Sequence, residues 1–240
     1  MAEKQRIDKL VASTGLYTRS EVKKLIRAGL VTADGIVVRS GEEKVDPDAV
    51  TLTAEGRTLT LRRFTWVMMN KPAGLLSATE DRRQKTVLDL LPQELRRQEL
   101  FPVGRLDRDT EGLLLLTNDG AAAHELLSPK KHVDKVYYVR TAGRLTEEDC
   151  RRFREGIRLD DGLTCLPAEL EILCAGDESE AHVTLREGKF HQVKRMLACC
   201  GKPVLYLKRI RMGNLPLDEK LKKGAYRLLT EKEVNNLCKK

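Results

Sequence analysis

The chain has 240 residues, 41% apolar and 33% charged, with 44 Lys and Arg against 36 Asp and Glu for a net charge of +8. That apolar content supports a sizeable core and excludes a mainly disordered chain, while the basic excess favours a polyanionic partner, nucleic acid or an anionic membrane surface. No apolar run approaches the roughly 18–20 residues of a membrane span, and MAEKQRIDKL at the N-terminus lacks the apolar stretch of a secretory signal, so a soluble cytoplasmic protein is expected.

Ile7, Leu10 and Val11 recur at helical spacing within residues 6–14, and Gly15 is placed to stop that helix. Thr18 followed by Glu21 is a capping-box pattern opening a second helix, with Val22, Leu25 and Ile26 as its apolar side and Gly29 as its end. At about 100° per residue, Arg19, Lys23 and Arg27 share the opposite side. Taken alone, one helix with such a face reads as solvated charge. Residues 30–33 and 36–39 flank Asp34-Gly35, a two-residue hairpin signal.

Val45-Asp46-Pro47-Asp48 is the expected break, followed by an alternating stretch from Val50 to Leu61 that reads as edge strands around Glu55-Gly56. The domain boundary is placed near residue 60, giving a small domain with its linker over 1–60 and a larger one over 61–240. In the latter, residues 66–69, 113–117, 135–140 and 181–186 read as strands. Thr86 can cap a short helix over 87–91, and Asp119 one reaching Leu127. Over residues 190–200, Phe190, Val193, Met196 and Leu197 form an apolar stripe, and His191, Lys194 and Arg195 lie on another face. Strands and helices in irregular order predict an α+β fold with a mainly antiparallel sheet.

The cysteines Cys150, Cys165, Cys174, Cys199, Cys200 and Cys238 form no CxxC pair, and His124-Glu125-Leu126-Leu127-Ser128 lacks the second His of a zinc-hydrolase motif. No P-loop, GxGxxG or GxSxG occurs. No metal or cofactor is expected. The densest polar constellation is Gly104-Arg105-Leu106-Asp107-Arg108-Asp109-Thr110-Glu111-Gly112, directly before the apolar run Leu113–Leu116. It is either a self-neutralising polar loop or one that presses a carboxylate into a low-dielectric site, where an adjacent arginine would keep it ionised as a nucleophile or base.

The stretch RIDKLVASTGLYTRSEVKKLIRAGLVTADGIVV resembles the S4 domain, a small RNA-binding module, which makes Arg19, Lys23 and Arg27 an expected phosphate-binding surface. GRLDRDTEGLLLLTNDG resembles the catalytic signature of the pseudouridine synthases. With NKPAG, Lys135-Val136-Tyr137 and EGKFHQVKRML, the resemblance spans the whole chain and points to the branch with an S4 domain in front. It implies that Asp107 is the catalytic aspartate and that Arg105 positions and charge-pairs with it. Tyr137 would pack on the target base, and Lys194 would be the basic residue near the aspartate. Asp109 is the weaker candidate for direct chemistry.

The reaction so implied breaks the N1–C1′ bond of a uridine, turns the uracil and rejoins it through C5, with no cofactor. The aspartate either attacks C1′ or takes a proton from the sugar. Eight Lys and Arg against one acid between Arg186 and Arg211 read as an RNA-binding wall, with Arg195, Lys208, Arg209 and Arg211 along phosphates. The expected partner is ribosomal RNA or a ribosomal subunit assembly intermediate, bound by a monomer and not at a membrane. NKPAGLLSATEDRRQKTVLDLLP and CLPAELEIL look nearer the small-subunit branch, and the chain ends in Lys239-Lys240 where several large-subunit members carry long basic tails. The same chemistry on 23S RNA, or a non-catalytic S4-type protein of ribosome assembly, are the alternatives.

Overall fold

In the computed structural model, residues 4–128, 131 and 133–238 are described, and Lys239 and Lys240 lie outside them. The chain divides into two compact units, residues 1–65 with 91–100, and residues 66–90 with 101–240.

In the first unit, β1 (Gln5–Arg6) leads into α1 (Ile7–Ser13), after which Gly15 turns the chain at φ +77°. Thr18 and Glu21 form the expected reciprocal cap at the start of α2 (Arg19–Arg27), each side chain accepting from the other's backbone N–H. Asp34 and Gly35, both at positive φ, turn β2 (Val31–Ala33) into β3 (Ile36–Val37). β4 (Lys44–Val45) pairs with β1, and β5 (Leu52–Ala54) is joined to β6 (Arg57–Thr58) through Glu55-Gly56. The antiparallel order β3-β2-β5-β6 leaves β6 on the edge but makes β5 interior, unlike the edge position expected for it. Its Leu52 and Ala54 are buried with Ile7, Val11, Val22 and Val31. The segment from Leu91 to Leu100, containing α3 (Gln93–Arg96), belongs to this unit. Gln98 donates to Thr14 O (2.9 Å) and Arg97 to Leu16 O (3.1 Å), giving partners to carbonyls just beyond α1.

The second unit is built on β7 (Trp66–Lys71), a 3₁₀ turn over Val87–Leu90, β8 (Phe101–Pro102) and β9 (Glu111–Thr117). Asp119 caps α4 (Gly120–Leu127) by accepting from Ala122 N at 3.0 Å. Then come β10 (Lys135–Ala142), α5 (Glu147–Glu155), β11 (Glu169–Cys174), β12 (Glu178–Leu185), α6 (Gln192–Cys199), β13 (Val204–Met212), β14 (Leu215–Pro216), β15 (Tyr226–Leu228) and α7 (Glu231–Cys238). Among the described residues these strands form one nine-stranded sheet, ordered β11-β12-β10-β13-β9-β7-β15, with β14 pairing with β13 and β8 with β9 off that path. Every pairing is antiparallel except β13 with β9. The architecture is therefore the expected α+β one. Phe153 of α5 and Val193, Met196 and Leu197 of α6 pack over Val139, Ala181 and Val183. Phe190, expected in that stripe, precedes the helix and is 73% exposed. No helix among the described residues is long and apolar enough to cross a membrane.

Gly112 permits the parallel pairing of β9 with β13. A Cβ there would meet Arg209 O at 2.2 Å, and its φ is +97°. Gly112→Ala is expected to cost about 2 kcal/mol or more through backbone strain and displacement of β13. A Tm several degrees lower in calorimetry would show it; an unchanged Tm would mean that the β9–β13 junction tolerates a side chain.

Candidate active site

The loop before β9 is shaped from beneath by the last residue of β7 and the chain that follows it. Lys71 is fully buried, and its ammonium donates to four carbonyls: Pro72 (3.1 Å), Asp107 (3.1 Å), Arg108 (3.2 Å) and Thr110 (2.9 Å). Burial pushes its pKa down to about 8, against the opposing pull of Asp109, Asp107 and Glu111. Ser77 donates to Leu106 O and accepts from Leu106 N, and Gly74 N donates to Arg108 O at 2.7 Å. Residues 106–110 are thus held by hydrogen bonds to their own backbone, which fixes where Asp107 points independently of the partners of its carboxylate.

Asp107 opens onto a cleft lined also by Arg105, Thr110, Tyr137, Leu185, His191 and Leu207. Its carboxylate is 3.2 Å from Lys194 Nζ through Oδ2 and 3.6 Å from His191 Nε2 through Oδ1. Lys194 also donates to Asp109 at 2.5 Å, and that contact holds the Asp109 carboxyl below its ordinary range. The first turn of α6 and the residue before it therefore supply the groups that face the aspartate. Glu111, just beyond, accepts from Tyr206 (2.7 Å) and pairs with Lys223 (2.8 Å). Burial opposes its ionisation, but these two partners outweigh it and keep the carboxyl low, while burial and Glu111 push the Tyr206 phenol up.

The structure brings Asp107, Tyr137 and Lys194 together as expected, with Tyr137 on the cleft side of β10 and Tyr138 edge-on to His182 and Tyr206. Arg105 is corrected in part: it lines the cleft but is exposed, and makes no ion pair with Asp107. Lys194 fills that place. Arg19, Lys23 and Arg27 are all exposed on α2.

The basic wall needs larger correction. Arg209 is buried to 1%, its Nε donating to Leu113 O of the adjacent β9 at 2.7 Å. Arg195 is held by Asp160 (2.8 Å) and Asp161 (2.6 Å). Arg211 donates to Gly213 O, and Lys208 is half-buried with its Cγ against Gly112. Two participants were missed. Lys71 carried a signal, a lysine closing an apolar strand; His191 was seen only as a member of a helix face.

The fold agrees with what is similar to this chain. A family model described as RNA pseudouridylate synthase matches residues 65–199, and one described as S4 domain matches residues 5–50. A Bacillus subtilis protein named an uncharacterized RNA pseudouridine synthase is 48% identical, covering 97% of this chain and 98% of its own length. The ribosomal small subunit pseudouridine synthase A of Vibrio cholerae is 41% identical over 98% of this chain and all of its own. A solved structure titled as that of a pseudouridylate synthase is 37% identical, with a TM-score of 0.68 over 97% of this chain and 99% of that one.

Proposed function

The chain belongs to the RNA pseudouridylate synthase family, carries an S4 domain in front of its catalytic domain, and is an RNA pseudouridine synthase; from that premise we propose that it isomerises a uridine of 16S ribosomal RNA in the cytoplasm, with Asp107 as the reacting carboxylate and no cofactor. The supporting observation is the Asp107 carboxylate on a preshaped loop, facing a cleft and balanced by Lys194. Relatives named for the small ribosomal subunit favour 16S over 23S RNA.

The chemistry makes modest demands. The N1–C1′ bond breaks with its electron pair going to N1, the uracil turns, the C5–C1′ bond forms, the C5 proton leaves and N1 takes up a proton, so atoms and electrons balance without an external reagent. Asp107 supplies the anionic oxygen, Lys194 offsets its charge, and Tyr137 holds the uracil while it turns. The target leaves its stack to enter the cleft, and the enzyme must therefore also grip the surrounding RNA, naked or within an assembling subunit.

Mapping pseudouridines by carbodiimide-blocked primer extension, in ribosomal RNA from cells lacking this gene, tests the assignment. One missing stop in 16S RNA is expected; a full set of 16S stops with one lost from 23S RNA would move the substrate to the large subunit. The role of α2 is tested separately. Replacing Arg19, Lys23 and Arg27 together with Ala is expected to weaken RNA binding and flatten the slope of log K against log salt by up to about 2–3 units. Titrations at two salt concentrations measure this, and an unchanged slope would return that face to solvated charge.

A further inference from the structure

Phe190 is the most exposed aromatic ring near the cleft, and nothing in the proposed reaction uses it. It is 73% exposed, yet its ring lies flat on the His191 imidazole, with centroids 3.8 Å apart and planes 16° from parallel. His191 lines the cleft and stands 3.6 Å from the Asp107 carboxylate, whereas Phe190 is not among the lining residues. The pair is therefore a short stack running from the reacting aspartate outward. His191 adopts a left-handed backbone conformation at φ +50°, which persists only where the surroundings impose it.

Those surroundings are built. Glu187, itself nearly buried, accepts from Leu166 N (2.8 Å) and Gln192 Nε2 (2.6 Å) and pairs with Lys189. Gln192 in turn accepts from Lys189 N at 2.8 Å. The turn carrying Phe190 is thus tied at both ends, and it presents an apolar ring to water. An exposed ring of this kind is what a nucleobase stacks on, because every base has a π face. The exposed, unpaired Arg105 on the same cleft adds the cation a nearby phosphate would meet.

We infer that Phe190, stacked on His191, is the platform for the base next to the target uridine in the RNA strand. When the uridine leaves its stack, its neighbour loses a stacking partner, and a rigid aromatic ring just outside the cleft replaces it. This rests on the proposed function, since the ring would have no such neighbour in another reaction. Phe190 is a positioning residue: it acts by holding the strand so that the uridine reaches Asp107.

Two measurements test it. The first is single-turnover tritium release from 16S RNA labelled at uridine C5, over a range of enzyme concentrations. Phe190→Ala is expected to raise the half-saturating concentration about 5- to 100-fold, the loss of one base–aromatic stack, and to lower the saturated rate by less. Phe190→Tyr is expected to restore both. The second uses Phe190→Trp, which adds an exposed indole to a chain whose one other tryptophan, Trp66, is buried. Its fluorescence is expected to be quenched by a short oligouridylate, and much less by the same oligomer with abasic sites on both sides of a single uridine. An unchanged half-saturating concentration in Phe190→Ala, a Tyr variant no better than Ala, or equal quenching by the two oligomers would each overturn the inference. If the wild-type enzyme releases no tritium, the proposed function fails, and the quenching comparison still decides whether the ring stacks on flanking bases.

Discussion

Asp107→Asn is expected to stop pseudouridine formation, lowering the single-turnover rate at least about 10⁴-fold, or roughly 5 kcal/mol, while RNA affinity stays within a few-fold. Asparagine keeps the size of the side chain but offers no anionic oxygen, either to C1′ or to a sugar proton. The substitution should leave the site standing. Asp107 is positioned through its backbone carbonyl by Lys71 and not through its carboxylate. Lys194, on losing one anionic partner at 3.2 Å, keeps Asp109 at 2.5 Å and is not left as an unpaired charge. Tritium release from C5-labelled 16S RNA measures the rate, and filter binding the affinity. Turnover near the wild-type level would remove Asp107 from the chemistry and shift attention to Asp109.

The features that were legible in the sequence are those whose cause is local. The Thr18–Glu21 cap, the Asp34-Gly35 turn and the Asp119 cap each depend on residues within one turn of one another, and each forms. Asp107 and Lys194 were placed together only by resemblance; nothing in either segment alone says that the first turn of α6 faces the loop before β9. The basic run from Arg186 to Arg211 misled for a related reason. Counted within the segment, it has one acid, but its charges are met from elsewhere in the chain: Arg186 by Asp134, Arg195 by Asp160 and Asp161, Lys194 by Asp107 and Asp109. Arg209 is buried against β9, where its Nε donates to Leu113 O, a contact across the sheet that periodicity does not reveal. Phe190 failed at the helix boundary: His191 turns left-handed and starts α6 one residue later, so the stripe begins at Val193.

Lys71 gives the sharpest separation between holding the loop and doing the chemistry. Lys71→Met keeps the length and the apolar stem but removes the ammonium shared by four carbonyls. Two of those oxygens keep another donor, Asp107 O from Thr110 N and Arg108 O from Gly74 N; Pro72 O and Thr110 O lose the donor described for them. Each unpaired buried carbonyl costs about 1–3 kcal/mol, partly offset because a buried charge has been removed. A modest loss of stability is therefore expected. The rate should fall further, at least about 10²-fold, since a displacement of the order of 1 Å at the reacting group costs that much.

The pH dependence separates the two effects. With a folded pKa near 8 and an ordinary value of 10.5, Lys71 has shed in the folded chain a proton that the unfolded chain still holds between those values. Its contribution to stability therefore rises with pH across that window, as does that of Lys135, which burial also lowers to about 8 and whose ammonium is bonded to Val133 O. The loop, however, loses a donor as Lys71 deprotonates. The wild-type rate advantage over Lys71→Met, measured at saturating RNA from pH 7 to 9, is thus expected to narrow as pH passes 8 while the wild-type fold does not weaken through this group. Because both enzymes act on the same RNA, titration of the uridine cancels in the ratio. A ratio that stays constant through pH 8 would show that the proton on Lys71 is not what shapes the loop beneath Asp107.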